Sequence, residues 1–230
     1  MMGLTLKKII TMKLVLTLIT LIWFHGPARS NDRPGQFDYY MLALSWSPTY
    51  CQSRNHSPKD TQCGSKRARP FAFVVHGLWP QYQRGFPKFC RTQQRPFVPE
   101  AVIGSMMDIM PSRRLIIHQY RKHGTCSGKA PAGYFKLSRA MYERVKIPPP
   151  YFAPKDAQLR MREDIVSDFV AANANLSADM IKIVCRRGNA NQLREVRICF
   201  GKNSEFQNCP QTRRQYGCQS KKIYIPAARG

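Results

Sequence analysis

The chain has 230 residues, with 37 lysines and arginines against 13 aspartates and glutamates, which gives a formal net charge of +24. This length suits one domain with a single core. The positive excess favours a polyanionic partner, namely nucleic acid, an anionic membrane surface or an acidic polysaccharide, and charge alone does not distinguish them. The alternative is a solvated surface without a specific partner.

The N-terminal segment has the pattern of a secretory signal peptide over residues 1–30. Two lysines precede an apolar run at residues 9–24, and Ala28 and Ser30 stand where a signal peptidase prefers small residues. We therefore expect residues 31–230 to form the exported, soluble chain. A membrane anchor is the alternative reading of the run, which is short for a spanning helix of ~20 apolar residues.

All cysteines lie after this segment: Cys51, Cys63, Cys90, Cys126, Cys185, Cys199, Cys209 and Cys218. An even number in an exported chain indicates disulfide bonds. No two of them form a C-x-x-C pair, which argues against a zinc site. Eight cysteines can pair in about a hundred ways, so spacing alone does not choose the connectivity.

The secondary structure can be read in chain order from apolar periodicity and from proline and glycine. Strands are predicted over residues 37–46, 71–75, 180–185, 193–200 and 222–225. Helices are predicted over residues 99–110, 113–123, 133–146 and 160–172. Polar loop follows the first strand, and irregular chain is expected at 81–99. In the second helix, Ser112 can serve as the N-cap and Gly124 as the stop.

Helices fall mostly in the middle of the chain and strands at both ends, which is an α+β pattern. In the strand at 193–200, Val196, Ile198 and Phe200 alternate with two charged residues and a cysteine. The prediction is a central antiparallel sheet packed against several helices, in a single domain braced by disulfides.

Four histidines follow the signal: His56, His76, His118 and His123. His118 and Lys122 are four residues apart in the second predicted helix and share a face, and Gln119 and His123 form the neighbouring line. Two imidazoles, an amide and an ammonium can therefore project toward one side. His56 lies in a polar loop and receives no role.

This set of side chains suits phosphoryl transfer on RNA. The 2′-hydroxyl must lose a proton to attack phosphorus and the leaving 5′-oxygen must gain one, and imidazoles titrate near neutral pH. Lys122 can offset charge on the non-bridging oxygens. No metal or other cofactor is required, because the nucleophile belongs to the substrate. DNA lacks this hydroxyl and should be spared.

A third histidine, His76, follows the apolar strand at 71–75. A histidine in this setting is usually structural when considered alone. Trp79, Tyr82 and Phe86 come next in the chain and are candidates for stacking on the bases of single-stranded RNA. Packing in the protein core is the alternative for these aromatic residues.

Two segments resemble those of a known family. HGLWP at 76–80 matches the first conserved segment of the T2 ribonucleases, and HQYRKHGTC at 118–126 resembles the second, usually HEWxKHGTC. Their order and separation also fit, as do the stretches at 37–51 and 85–90. The resemblance covers nearly the whole chain after the signal and is closest to bacterial members of the family.

The resemblance implies a role for each matched residue. His76 would be the general acid, His123 the general base, His118 a phosphate ligand and Lys122 the group that stabilises the pentacovalent state. Products would be 2′,3′-cyclic phosphates and then 3′-phosphates. The implied disulfides are Cys51–Cys63, Cys90–Cys126, Cys185–Cys218 and Cys199–Cys209. The implied protein is a secreted or periplasmic monomer that acts on single-stranded RNA, without a stable protein partner.

The sequence departs from the family pattern at two positions, where Gln119 replaces Glu and Tyr120 replaces Trp. Gln119 carries no charge and cannot raise the pKa of a neighbouring histidine as a carboxylate would. We expect activity with a lower pH optimum. One alternative is a catalytically silent, polyanion-binding protein on the same fold. Another, a nucleophilic Cys126 paired with His123, is disfavoured because Cys126 is expected to be bridged.

Overall fold

A computed structural model describes residues 32–52, 60–64, 71–93, 95–186, 189–210, 217–218 and 220–228. The predicted signal peptide and His56 lie outside the described residues. None of the helices in the described ranges is long and apolar enough to cross a membrane.

Within the described ranges, six strands form one sheet: β1 (Tyr39–Trp46), β2 (Phe73–Gln81), β3 (Gln158–Met161), β4 (Ile181–Arg186), β5 (Asn189–Phe200) and β6 (Lys222–Ile225). Their order is β2-β1-β5-β6-β3, and β4 pairs with β5. All pairings are antiparallel except that of β5 with β6, which joins Gln192 and Tyr224 in parallel. The sheet is therefore mixed, and the prediction of an antiparallel sheet holds for all but this short contact.

In the part of the chain that the structure describes, five α-helices accompany the sheet: α1 (Ser47–Cys51), α2 (Glu100–Gly104), α3 (Arg113–Lys122), α4 (Pro131–Glu143) and α5 (Arg162–Ala172). Short 3-10 helices follow at Gly124–Ser127, Pro149–Tyr151 and Ala178–Met180. The helices lie mostly between β2 and β4 in the chain, so the predicted α+β class is confirmed.

The two faces of the sheet are covered differently. Side chains from alternate positions of β1, including Leu42, Leu44 and Trp46, join the large core formed with the helices. The intervening residues Tyr39 and Met41 pack in a small second cluster with Cys199 and Cys209, and Trp79 lies against it. This second face carries the candidate active site.

Several predicted boundaries are wrong. The strand predicted at 71–75 continues to Gln81, because β1 pairs with it throughout. Pro80 is tolerated there since β2 is an edge strand. The helix predicted at 160–172 begins at Arg162, because the residues just before it pair with β6. Helix α1 was predicted as loop, although Pro48 stands in its first turn, where proline is compatible with a helix.

Helix α3 begins and ends close to the predicted residues, but the chain after it differs from the prediction. The Ser112 hydroxyl accepts a hydrogen bond from the Leu115 N–H at 3.3 Å. The α-helix ends at Lys122 with His123 as its C-cap, so it stops before Gly124 as predicted, but the chain continues there into a 3-10 turn, and the left-handed glycine is Gly128, with φ 74°. Gly124 is needed for another reason, because a Cβ there would collide with the Tyr120 ring.

Four disulfides cross the fold: Cys51–Cys63, Cys90–Cys126, Cys185–Cys218 and Cys199–Cys209. These are the pairs that the family resemblance implied. The second bridge ties the irregular segment after β2 to the turn that follows α3. The other end of α3 is held by its N-cap, so both ends of this helix are fixed.

Candidate active site

A β-bulge places His76 at the site. Gly77 pairs with Ala43 and Val75 with Leu44, which leaves His76 as the extra residue without a register partner. Bulges commonly re-aim a side chain at a functional site. The imidazole is 29% exposed, so one edge faces a partner in the protein while the remainder is accessible.

The partner of His76 is a buried carboxylate on β5. His76 Nδ1 lies 2.9 Å from Oε1 of Glu195, whose side chain is only 1% exposed. Arg197 donates to the other oxygen, Oε2, at 2.7 and 2.6 Å. Burial alone would raise the pKa of Glu195, but the hydrogen bond with His76 and the charges of Arg197 and Arg194 outweigh it and lower the pKa to about 2. The carboxylate is therefore ionised at neutral pH.

Helix α3 supplies the second group of residues. His118 and Lys122 are separated by one helical turn, as predicted. His123 is the C-cap residue, and its N–H donates to the Gln119 carbonyl at 2.9 Å. The helix thus brings its last turn, with one cation and two imidazoles, to the site.

The indole of Trp79 joins the strand side of the site to the helix side. Its ring centroid lies 5.2 Å from that of His76 and 5.4 Å from that of His123. Its Nε1–H donates to Oε1 of Gln119 at 2.8 Å. The guanidinium of Arg197 stacks over the same indole, 4.9 Å from the centroid. The imidazoles from the two predicted segments therefore contact the same ring.

His123 lies in an environment that favours its neutral form. The residue is 4% exposed, and its Nδ1 has no hydrogen-bond partner within the described part of the chain. Burial, followed by the charges of Lys122, His76 and His118, lowers the pKa of His123 to about 3. Burial, followed by electrostatic repulsion from Lys122, His76 and Arg114, also lowers the pKa of His118. The three imidazoles are thus within electrostatic range of one another.

Two exposed phenylalanines border the site on its outer side. The Phe86 ring is 5.9 Å from that of His123, and the Phe89 ring is 6.4 Å from that of His118. These residues are 41% and 56% exposed. The N–H of Phe89 donates to the Lys122 carbonyl at 2.8 Å, so this part of the irregular segment is attached to the end of α3.

The structure brings together the residues predicted as catalytic: His76, His118, Gln119, Lys122 and His123. Of the three aromatic candidates, Trp79 and Phe86 contact the site histidines. Tyr82 instead donates to Asp32 at 3.1 Å and packs against the main core. In the described structure Tyr82 thus lies against the core and not against a site histidine, and base stacking on its ring stays a prediction.

Sequence reasoning missed Glu195, Arg197 and Phe89. Glu195 and Arg197 are two positions apart in β5 and therefore lie on the same face of that strand. This spacing was the only sign in the sequence that the two side chains could interact. Phe89 sits in a segment without periodicity, at φ 51°, and no sequence signal identified it.

The chemical capacity of the site lies in proton transfer and in binding of an anion. No group of three or more histidines, cysteines or carboxylates within the described ranges is arranged to hold a metal ion. The site offers one imidazole held by a carboxylate, one buried neutral imidazole, and the Lys122 ammonium beside a third imidazole.

Comparison with known proteins identifies relatives. The model of the ribonuclease T2 family matches residues 37–209. A ribonuclease of Aeromonas hydrophila is 38% identical over 144 residues, which is 62% of this chain and 61% of that protein. A probable ribonuclease of Haemophilus influenzae is 30% identical over 196 residues, 78% of this chain and 65% of that protein. The chain thus spans just under two thirds of the length of these two relatives.

Solved structures agree with the sequence comparison at the level of the fold. The crystal structure of RNase NT in complex with 5′-AMP superposes with a TM-score of 0.62 at 24% identity, and covers 83% of this chain and 98% of that one. With three quarters of its length matched by the family model, the chain belongs to the ribonuclease T2 family.

Proposed function

We propose that this protein is an endoribonuclease that cleaves single-stranded RNA without a metal ion, by transphosphorylation to 2′,3′-cyclic phosphates and their conversion to 3′-phosphates. One observation carries the proposal. Two imidazoles contact the same indole, and one is held by an ionised carboxylate while the other is buried among cations. Titratable groups with opposed environments are the mark of an acid and base pair.

His123 is the general base in this mechanism. Its lowered pKa keeps the imidazole unprotonated at neutral and moderately acidic pH, so it can accept the proton of the 2′-hydroxyl. The neighbouring Phe86 and His118 are exposed, so the substrate would approach this buried ring from their side.

His76 is the general acid. An ionised carboxylate holds Nδ1 of the ring at hydrogen-bond distance, and the accessible part of the ring can deliver a proton to the leaving 5′-oxygen. The 2′-oxygen then forms its bond to phosphorus as the bond to the 5′-oxygen breaks. The proton gained by His123 and the proton lost by His76 balance the step.

His118 and Lys122 bind the phosphate and its transition state. They lie one helical turn apart, and the charge of Lys122 lowers the pKa of His118. Charge that accumulates on non-bridging oxygens is stabilised by cationic donors fixed in place beforehand. Gln119 holds Trp79 by a hydrogen bond and thereby aligns the strand and helix sides of the site.

RNA is the expected partner, guided to the site by the large excess of lysine and arginine over aspartate and glutamate and by stacking of bases on Trp79 and Phe86. The four disulfides suit an oxidising compartment, so we place the protein outside the cytoplasm, secreted or periplasmic. We also propose that the protein acts as a monomer. Cell fractionation and the N-terminal sequence of the exported protein test this placement.

Digestion of homopolymeric RNA in EDTA, with identification of the products, tests the function. We expect cyclic phosphates first and 3′-phosphates later, and loss of at least about 10²-fold in rate for His123→Ala. His56→Ala is the matched control, because it removes an imidazole that has no assigned role. RNA binding without cleavage by the parent would instead support a catalytically silent polyanion-binding protein, the alternative suggested by Gln119.

A further inference from the structure

Glu195 is an unusual residue for its location. It is an ionised carboxylate that is almost fully buried. It lies within strand β5, where the nearby Val196 and Ile198 are also completely buried. Removing a charge from water is costly unless it is paired and hydrogen-bonded. The contacts of this carboxylate therefore indicate what it does.

The two oxygens of Glu195 have different partners. Oε2 accepts both close contacts from Arg197, at 2.7 and 2.6 Å. Oε1 faces the imidazole of His76 at 2.9 Å, with Arg194 more distant at 3.6 Å. If the carboxylate served only to pair Arg197, the natural geometry would direct both oxygens to the guanidinium. Instead, the shortest contact of Oε1 is with the histidine.

The surroundings hold this arrangement in place. Arg197 stacks on Trp79, which also contacts His76, so the guanidinium and the imidazole pack against the same indole. The bulge in β2 turns His76 toward β5, where Glu195 pairs with Ser45 of the intervening strand β1. The carboxylate thus reaches across β1 to the histidine.

We infer that Glu195 is the positioning residue of the general acid: it accepts the Nδ1–H of His76, fixes the ring, and keeps its Nε2–H directed at the leaving oxygen. This inference rests on the function proposed above. Arg197 in turn fixes the carboxylate. Glu195 itself need not touch the substrate, and it acts through the protonation and orientation of His76.

The leaving group of the substrate provides the test. A dinucleoside phosphate has a poor leaving 5′-hydroxyl and requires the acid, whereas a ribonucleoside 3′-(4-nitrophenyl phosphate) releases a stable phenolate that needs no proton. We expect Glu195→Gln to lower kcat on the dinucleotide about ten- to a hundredfold, with KM little changed and the aryl ester almost unaffected. Equal losses on both substrates, or no loss on either, would overturn the inference.

Two companion variants separate the possible failures. His76→Ala should show the same dependence on the leaving group, and a uniform loss there would contradict the role proposed for His76 rather than that of Glu195. Asp168→Asn removes another half-buried carboxylate that pairs with an arginine, Arg160, and bonds Tyr151. It should lower stability without any dependence of the rate on the leaving group.

A measurement on the parent protein does not depend on whether a variant folds. The ¹⁵N chemical shifts of His76 should show a protonated Nδ1 under conditions of activity, with its proton strongly deshielded by the carboxylate. An Nδ1 without a proton would exclude the inferred hydrogen bond. In folded Glu195→Gln, the same resonance should move toward the shift of an exposed imidazole.

Discussion

The indole Nε1–H of Trp79 donates to Oε1 of Gln119 at 2.8 Å, and this bond joins β2 to α3. Trp79 belongs to the first segment that resembles the T2 family, and Gln119 stands at the position where the second segment usually has Glu. An amide oxygen accepts a hydrogen bond from an indole N–H, as a carboxylate oxygen would. The substitution therefore preserves the connection between strand and helix while removing a charge from the site.

The first prediction concerns this charge. In Gln119→Glu the carboxylate would lie beside Trp79 and His123 among cations, and it would favour the imidazolium of His123 and raise its pKa above the present value of about 3. Since the base must be unprotonated, the acid limb of the profile of kcat/KM against pH should move to higher pH. The measurement is a pH–rate profile of both proteins.

Gln62→Glu is the control for this substitution, because it adds a carboxylate at another buried glutamine, one that donates to Ser47. Its acid limb should coincide with that of the parent. A profile for Gln119→Glu that also overlays the parent would contradict the placement of His123 as base next to this amide.

The second prediction concerns Gly77, which lies beneath the bond between Trp79 and Gln119. A Cβ on Gly77 would collide with the Gln119 amide oxygen and the Trp79 indole nitrogen. We expect Gly77→Ala to cost about 1–3 kcal/mol in the free energy of unfolding and to lower kcat. Gly104→Ala has open space around the new methyl group and should be neutral or stabilising by about 0.5–1 kcal/mol. Urea unfolding of both variants checks this, and equal effects would contradict it.

The strand β5 shows how far the sequence leads. Alternation correctly predicted that Val196, Ile198 and Phe200 share a face, and they lie in the main core. It did not show that the opposite face is covered as well, because a period of two in the sequence specifies sides and not what packs against them. The role of Glu195 depends on a bulge in a strand distant in the chain, which no local pattern encodes.

The helix predicted at 99–110 illustrates a second limit. Its apolar spacing is compatible with a helix, but only Glu100–Gly104 is helical. After it, the N–H groups of Met106 and Ile109 bond to carbonyls three residues earlier, and the Ser105 hydroxyl donates to the Val102 carbonyl at 2.8 Å. Such turns satisfy the same apolar pattern. The two motifs of the site were predictable, since each is continuous in the chain.

The third prediction concerns acid stability. His123 has a pKa of about 3 in the folded protein and an ordinary value of 6.5 when exposed. Between these values the unfolded chain binds the additional proton, so stability falls as the pH falls through this window. We expect His123 to account for a loss of about 3 kcal/mol between pH 7 and pH 4.

Urea unfolding at the two pH values measures this loss, and His123→Asn should abolish its part of the pH dependence. Protonation of Glu195, whose pKa is lowered to about 2, also destabilises the protein as the pH falls, but at lower pH. This contribution of Glu195 remains in the His123→Asn variant. The same pH dependence in parent and variant would contradict the burial of a neutral His123.

The fourth prediction separates the local and global effects of a disulfide. Cys90–Cys126 and Cys185–Cys218 close loops of similar length, with sequence separations of 36 and 33. Replacing either pair with alanines should therefore cost about 3–4 kcal/mol in loop entropy. When both variants are assayed well below their melting temperatures, only loss of Cys90–Cys126 should also lower kcat. This bridge anchors the segment in which the Phe89 N–H donates to the Lys122 carbonyl. Similar activity in both variants would contradict this role.

The last prediction concerns the outer side of the site, where Phe86 faces the ring of His123 and remains 41% exposed. If a base of the substrate stacks there, Phe86→Ala should weaken RNA binding by about 1–2 kcal/mol, seen as a roughly five- to thirtyfold higher KM. Phe152→Ala removes an even more exposed ring, outside the ring contacts described for the site, and should leave KM unchanged.

Tyr82→Ala adds a second comparison, because Tyr82 was also a candidate for base stacking and this change removes its ring. Its hydroxyl donates to Asp32 and its ring packs on the main core. The variant should lose some stability with an unaltered KM for RNA. A KM that responds to the Tyr82 ring but not to the Phe86 ring would move the base-binding surface away from His123, and with it the direction from which the substrate enters.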